Sequence, residues 1–543
     1  MIIFSGRGQY VPVHIHNNGI YEFLEEMADL KHCEINTVIK PWGRAFIAKK
    51  LQQVNTNRGQ LNKRQKAELD FFLREFWKDM PTESMEENND SEVEFFGFCP
   101  SRPVKWAKNK NKRRDMLFYG DSLFVFSANF IYGRQYWLRD DGESLFYRWN
   151  GGEAEAYVGE KWGFYGSLRD NYETELLAKP EYYTQRLGVP GKPDGYSEAR
   201  GGITYSWKWG NAGFVKDHFE WGNNQHGANI FSGRTPSISH FRFNLYPAEW
   251  FEFNFVHGRL VSDVMDSTAS YYTSGGTLRS VMHDKFISAN MFTVRPFNWM
   301  GFSVGNSIIY SDKNYWGYLI PFYFFKSVDH TINAINSFQG KSGQNSQMFM
   351  DLSLRPVRSI HLYTSLFIDE LSLARIKDPD RHNFESFKFG FSWSGIPVQN
   401  IRLKGEYTIT SPMTYQHNIA TTTFESNAYN LGYYLEDNSR EYYLALLYKP
   451  VHRFHILLSY TLAQHGEDTD YLTYKPVDEH PWLENITWQQ EALQLKLSWE
   501  AFHSGRFFAD LSFMNTTGDV ETHSPAFHHG KHLIASFGFG YGL

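Results

Sequence analysis

Short and long connections alternate along most of this chain, and few folds produce that pattern. Beyond position 121 the apolar residues adopt period-two spacing. Phe387, Phe389, Phe391 and Trp393 alternate with Lys388, Gly390 and Ser392, and Ile401, Leu403, Tyr407 and Ile409 alternate with Arg402, Lys404, Glu406 and Thr408. Successive strand residues point to opposite faces, so each segment carries one apolar and one polar face. Proline-containing turns follow several of these segments, at Tyr246-Pro247, Arg295-Pro296, Arg355-Pro356, Ile396-Pro397 and Lys449-Pro450. Proline presets a turn and cannot continue a ladder. Long polar connectors at 263–284, 311–345, 372–385, 411–440 and 466–488 separate the resulting hairpins. Turns and alternation together predict eighteen strands. Every even-to-odd connection is short and every odd-to-even one long, apart from a modest first loop at 138–144.

A soluble sandwich has no reason to sort loops by parity, because both its ends meet the same solvent. A membrane barrel does, with tight turns at one rim, long loops at the other and an even strand number. Composition agrees. The chain is 17% aromatic yet polar on average, with a mean hydropathy of −0.49. Disorder requires few aromatics. The longest apolar stretch, 318–325, falls far short of the ~20 residues a membrane helix needs. A net charge of −6 gives no reason to propose nucleic acid as a partner. The predicted fold is an all-β membrane barrel of about eighteen antiparallel up-and-down strands. The predicted location is the outer membrane of a Gram-negative bacterium, with membrane lipid as one partner.

The first 80 residues differ. Apolar residues recur at helical spacing over 20–30, 44–54 and 62–79, the first through Ile20, Phe23, Leu24, Met27 and Ala28. The expected division is a helical unit at 1–80, a charged linker at 81–120 and the barrel at 121–543. An even strand number places the helical unit on the periplasmic side, where it could meet other outer-membrane or periplasmic proteins. Met1-Ile2-Ile3-Phe4 is too short for a signal segment and lacks a charged start, so the expectation is a chain already trimmed of one. The final strand ends with Phe537, Phe539 and Tyr541 on one face and Gly538, Gly540 and Gly542 on the other. Cys33 and Cys99 fall in a helix and the linker, and spacing leaves open whether they pair.

Alternation assigns a polar lumen face, with Arg402, Lys404 and Glu406 among its members. Lys216, His218 and Glu220 are read as sharing one further strand face. Such charges line a channel or pair across a filled lumen. Histidines at 480, 528, 529 and 532 invite a catalytic or metal reading. Loose proximity shows no catalytic constellation, however, and neither paired cysteines nor an HExxH spacing appears. The expectation is therefore no enzyme, no cofactor and no metal.

The segment 213–222, Gly-Phe-Val-Lys-Asp-His-Phe-Glu-Trp-Gly, continues through Gly227-Ala228-Asn229-Ile230-Phe231-Ser232-Gly233-Arg234-Thr235-Pro236. With 166–173, Arg200-Gly201-Gly202, Ile20-Tyr21-Glu22-Phe23-Leu24, Ile39-Lys40-Pro41 and 61–65, it resembles the capsule-assembly Wzi family of outer-membrane proteins, particularly its Bacteroidota-type members. The resemblance implies an 18-stranded barrel with a periplasmic helical bundle, a lumen blocked by folded-in loops, and attachment of capsular polysaccharide to the cell surface. Sugar binding needs flat aromatics and planar polar groups. The loops offer Tyr182-Tyr183, Tyr271-Tyr272, Tyr315-Trp316, Tyr433-Tyr434, Tyr471 and Trp482, with Arg234 able to hold an acidic sugar. Tyr271, Tyr272, Tyr315, Trp316 and Arg234 are the candidate binding residues. An interfacial aromatic girdle is the competing reading. The expected function is anchoring of surface polysaccharide. The alternative is a transport pore, or an accessory subunit of an export or uptake complex.

Overall fold

The computed structural model describes residues 9–80, 92–95, 113–174, 189–192, 195–329, 343–371, 383–395, 397–469 and 482–542. Between positions 124 and 541 the described residues form a closed antiparallel barrel of 18 strands. In chain order these are β1 Phe124–Arg139, β2 Ser144–Val158, β3 Trp162–Glu173, β4 Gly195–Trp207, β5 Gly210–Asp217 and β6 Ile238–Ala248. Next come β7 Phe251–Leu260, β8 Lys285–Phe297, β9 Met300–Ser311, β10 Asn345–Leu354, β11 Ile360–Glu370 and β12 Phe384–Ser394. The set ends with β13 Ile401–Thr410, β14 Ser439–Tyr448, β15 Phe454–His465, β16 Trp488–Phe502, β17 Gly505–Gly518 and β18 Gly530–Tyr541. Each pairs with its sequence neighbour, and β18 pairs back onto β1 from Tyr541↔Tyr132 to Ile534↔Arg139, which leaves no open edge.

Alternation sorts the side chains as the sequence predicts. Phe387, Phe389 and Trp393 are exposed on the outer wall, while Ser386, Lys388 and Ser392 are buried inside. Trp162, Trp209, Trp250, Phe297, Trp299, Tyr448 and Trp499 are exposed near the short turns, forming an aromatic girdle at that rim. Pro247 and Pro296 fall where the β6–β7 and β8–β9 ladders shift register just before the turn, positions that need no ladder N–H.

Among the described residues three α-helices precede the barrel: α1 Asn18–Asp29, α2 Arg44–Thr56 and α3 Lys63–Glu75. Asn62 and Gln65 form a reciprocal capping box that starts α3, each side chain accepting the other's backbone N–H at 2.9 and 3.0 Å. Ile20, Phe23, Leu24 and Met27 on α1 pack with Ile47 and Leu51 on α2 and Leu69 and Phe72 on α3 in an apolar core. Cys33 is buried beside this core, its thiol 3.7 Å from the Leu24 carbonyl; Cys99 lies outside the described residues.

Candidate functional site: a filled lumen beneath the long loops

α1 has two faces. Opposite its apolar stripe, Glu22, Glu25, Glu26 and Asp29 stand at i, i+3, i+4 and i+7, so they form one acidic stripe. That stripe meets basic side chains at the short-turn end of the barrel. Arg402 reaches Glu22 at 2.8 Å, Glu25 at 3.3 Å and Asp29 at 3.0 Å. Lys404 also bonds Glu22, Lys449 reaches Glu26 at 2.8 Å, and Arg355 reaches Asp29 at 3.1 Å. Ser392 and Ser394 donate to the same Asp29 oxygen at 2.8 and 2.9 Å. Burial acts to raise the Glu22 carboxyl, but Lys404 and Arg402 outweigh it and hold the group well below the ordinary carboxylate range. The helical unit is thereby fixed into the barrel mouth.

The long loop between β5 and β6, residues 218–237, turns inward. Its Glu220–Trp221 pairs on one side with Ile39–Lys40 of the helical unit and on the other with Phe231–Ser232, making a three-stranded sheet within the lumen. Gly222, at φ +99°, reverses the chain after Trp221, a conformation that favours glycine. Trp221 and Phe231 are each 1% exposed and sit in an apolar core with Ile287, Met291, Phe349, Phe367 and Phe424. The lumen therefore holds a packed apolar region, where alternation alone predicts a polar face throughout. The missing information is which inward positions meet a folded-in loop rather than water.

Polar groups anchor the same loop. Glu406 accepts the backbone N–H groups of Gln225 and His226 at 2.6 and 2.8 Å and the Tyr363 hydroxyl at 2.7 Å. Asp351 accepts the Asn223 backbone and side chain at 2.8 and 2.6 Å. Glu198 bonds both His14 and His218 at 3.0 Å. His14 Nδ1 accepts the His16 N–H at 3.0 Å, which leaves Nε2–H to face Glu198. Burial and the nearby Arg200 push the His14 imidazole down to about 4.

The predicted network is thus split among three elements, β13, β5 and the inward loop. Arg402, Lys404 and Glu406 face inward on β13, and Glu406 and Arg402 hold different occupants of the lumen. Lys216, His218 and Glu220 do not share a strand face. β5 ends at Asp217, so His218 and Glu220 belong to the inward loop, while Lys216 shares the outer face with Phe214, which is 73% exposed. The inward turn begins one residue after Asp217, and no period-two signal marks it.

The candidate binding residues separate too. Tyr271 and Tyr272 sit in a small hairpin of the β7–β8 loop, 51% and 72% exposed, and Trp316 in the β9–β10 loop is 84% exposed. Tyr315 packs against Tyr310 and Tyr318 at 6.2 and 5.6 Å between ring centroids. Arg234 lies inside the barrel: its guanidinium stacks 4.2 Å from the Tyr434 ring centre and donates to the His226 carbonyl at 2.8 Å. Burial lowers its affinity for a proton despite the neighbouring Tyr434 and Glu441. Tyr182, Tyr183, Tyr471 and His480 lie outside the described residues. His529 and His532 point to separate partners, the Ser524 carbonyl and Asp140, both at 2.9 Å. A polar cavity of about 470 Å³ remains between the helical unit and β1–β4, lined by Arg44, Glu75, Arg113, Trp149, Arg169 and Arg200 among others.

No protein-family model and no curated protein matches this sequence. Among solved structures, Escherichia coli Wzi, an outer-membrane protein involved in group 1 capsule assembly and a carbohydrate-binding β-barrel, superposes with a TM-score of 0.56. The match covers 98% of this chain and 100% of that one at 11% identity. Acinetobacter baumannii OccAB4 matches at a TM-score of 0.42 and 8% identity, over 80% and 99% of the two chains. Pseudomonas aeruginosa OprD does so at 0.40 and 8%, over 77% and 94%. This chain, then, is an 18-stranded outer-membrane-type barrel with the fold of Wzi.

Proposed function

We propose that the protein is a non-enzymatic outer-membrane barrel that binds surface polysaccharide on its long loops and keeps it attached to the cell. In this reading the short-turn rim and the helical unit face the periplasm. The observation that carries it is the occupied lumen, with α1 locked to β13 by buried charges and residues 218–237 packed against the inner wall. A barrel filled this way has its long loops, rather than a channel, to offer a ligand. The carbohydrate-binding activity named for the Wzi structure supports the same reading.

Tyr272 and Trp316 are the proposed sugar platforms, since their exposed ring faces match the apolar faces of pyranosides. Tyr271 lies beside Tyr272 in the same hairpin, whereas Tyr315 packs within its own loop and Arg234 stacks on Tyr434 inside the barrel. The test pairs capsule retention in a deletion strain with direct glycan binding by the purified protein. Retained capsule together with absent binding would overturn the reading. A large steady current in planar bilayers would replace it with the transport alternative.

A further inference from the structure

Three long connections converge at the loop rim, through residues 411–438, 466–469 with 482–487, and 519–529. They enclose a cavity of about 280 Å³ whose lining includes Glu425, Glu436, Asp437 and Glu467, and no lysine or arginine among the described lining residues. Within it, His465 at the end of β15, Asp468 and His523 bring one donor atom each to within 4.8 Å of one another. His523 Nε2 lies 3.5 Å from one Asp468 oxygen, and His465 Nδ1 lies 3.6 Å from the other. The two imidazole centres are 4.4 Å apart. Both histidines are buried, while the Asp468 carboxylate is 60% exposed toward the rim.

The frame around these groups is built independently of any ion. Trp488 Nε1 donates to Ser524 Oγ at 2.8 Å and its ring packs beside His523. Asp519 N–H donates to the Thr487 carbonyl at 2.9 Å, Gly466 N–H to the Asn438 carbonyl at 2.7 Å, and Asn438 Nδ2 to the Glu467 carbonyl at 3.0 Å. These bonds tie the ends of the three connections to one another. Tetrahedral Zn²⁺ with ligands at about 2.0–2.2 Å spaces neighbouring donor atoms about 3.3–3.5 Å apart; each imidazole lies within a few tenths of an ångström of that spacing from one oxygen of the Asp468 carboxylate, and all three groups lie within 4.8 Å. Two imidazoles and one carboxylate favour zinc and related transition metals over calcium or magnesium, which select all-oxygen shells.

We propose that His465, Asp468 and His523 form a site for a divalent transition-metal ion of the Zn²⁺ type, tying the β15–β16 loop to the β17–β18 loop. Its fourth position opens onto the acidic cavity. His465 Nδ1 now donates to the Gly466 carbonyl at 2.8 Å, and the ion replaces that bond. The site is independent of the polysaccharide reading, and its test needs no glycan.

The full-length protein in detergent, stripped with chelator, is titrated calorimetrically with Zn²⁺ and, in parallel, with Ca²⁺. The expected result is one Zn²⁺ per chain, no competition from Ca²⁺, and affinity reduced about tenfold or more by Asp468→Asn or His523→Ala. Asp468 is exposed, so D468N keeps the barrel intact, as strand circular dichroism verifies. Co²⁺ supplies a second readout, a visible ligand-field band lost in His465→Ala. Absence of saturable Zn²⁺ binding overturns the proposal. So does Zn²⁺ binding that D468N and H523A leave unchanged, since the ion would then sit elsewhere, as at the buried His14, Glu198 and His218.

Discussion

Arg402 donates from one guanidinium nitrogen to Glu22 at 2.8 Å and holds Asp29 at 3.0 Å with another, so a single strand residue fixes both ends of the acidic stripe on α1. Arg402 and Asp29 are buried, at 3% and 0% side-chain exposure, and Glu22 is half-buried at 14%. Removing one partner of such a set strands charge in a dry interior, at about 3–5 kcal/mol. Arg402→Ala is expected to release the helical unit, read as faster protease cleavage between α2 and α3 while the barrel strands stay protected. Equal cleavage rates in the variant and the parent would show that the apolar contacts alone hold the unit.

The inward loop depends on apolar packing more than on charge. Trp221 and Phe231 lie at the centre of the lumen core, with ring centroids 5.1 Å apart. Truncating a buried large aromatic costs about 3–5 kcal/mol. Phe231→Ala is expected to lower the thermal midpoint and to give intermittent current in planar bilayers where the parent gives almost none. A silent, fully stable variant would mean that Glu406 and Asp351 suffice to hold residues 218–237.

Much of this architecture is legible in the sequence because it is local. Period-two alternation and turn prolines report strand number, order and facing, and the three helices announce themselves through 3.6-residue spacing and the Asn62–Gln65 cap. What fills the lumen is not local. Glu22 and Arg402 are 380 positions apart, and the stripe at 22, 25, 26 and 29 reads equally well as a solvated helix face until its partners are placed. The same holds for His465 and His523, which lie 58 residues apart by their numbering and share no spacing motif. His218 shows the converse error: it lies one residue past the end of β5 at Asp217, where the alternation that still places Lys216 on the outer face no longer describes the chain.

Trp316 and Tyr272 offer ring faces at 84% and 72% exposure. Exposed substitutions usually stay within about 0.5 kcal/mol of parent stability, so Trp316→Ala and Tyr272→Ala are expected to leave the melting curve unmoved. Aromatic contacts of this kind contribute about 0.5–1.5 kcal/mol. Each variant is thus expected to weaken glycan binding several-fold in a surface plasmon resonance assay on purified polysaccharide. Unaltered binding in the double variant would move the platform to other loops.

Acid is expected to loosen the helical unit in two stages. His14 carries a pKa lowered from 6.5 to about 4, so between those values the folded state binds fewer protons than the unfolded chain. Stability from this group is complete above pH 6.5 and declines as pH falls toward 4. Glu26 adds the second stage. Burial acts to raise it, but Lys449 and Arg64 prevail and depress it, so its contribution is present above about pH 4.5 and lost as pH falls further. Hydrogen exchange at the amides of residues 11–30 should therefore accelerate first between pH 6.5 and 4, after correction for intrinsic rates, and again below 4.5. His14→Asn should weaken the first stage, to which His16, also lowered by burial, contributes, and Glu26→Gln should remove the second; a single acid transition unaffected by either variant would assign the loosening to other groups.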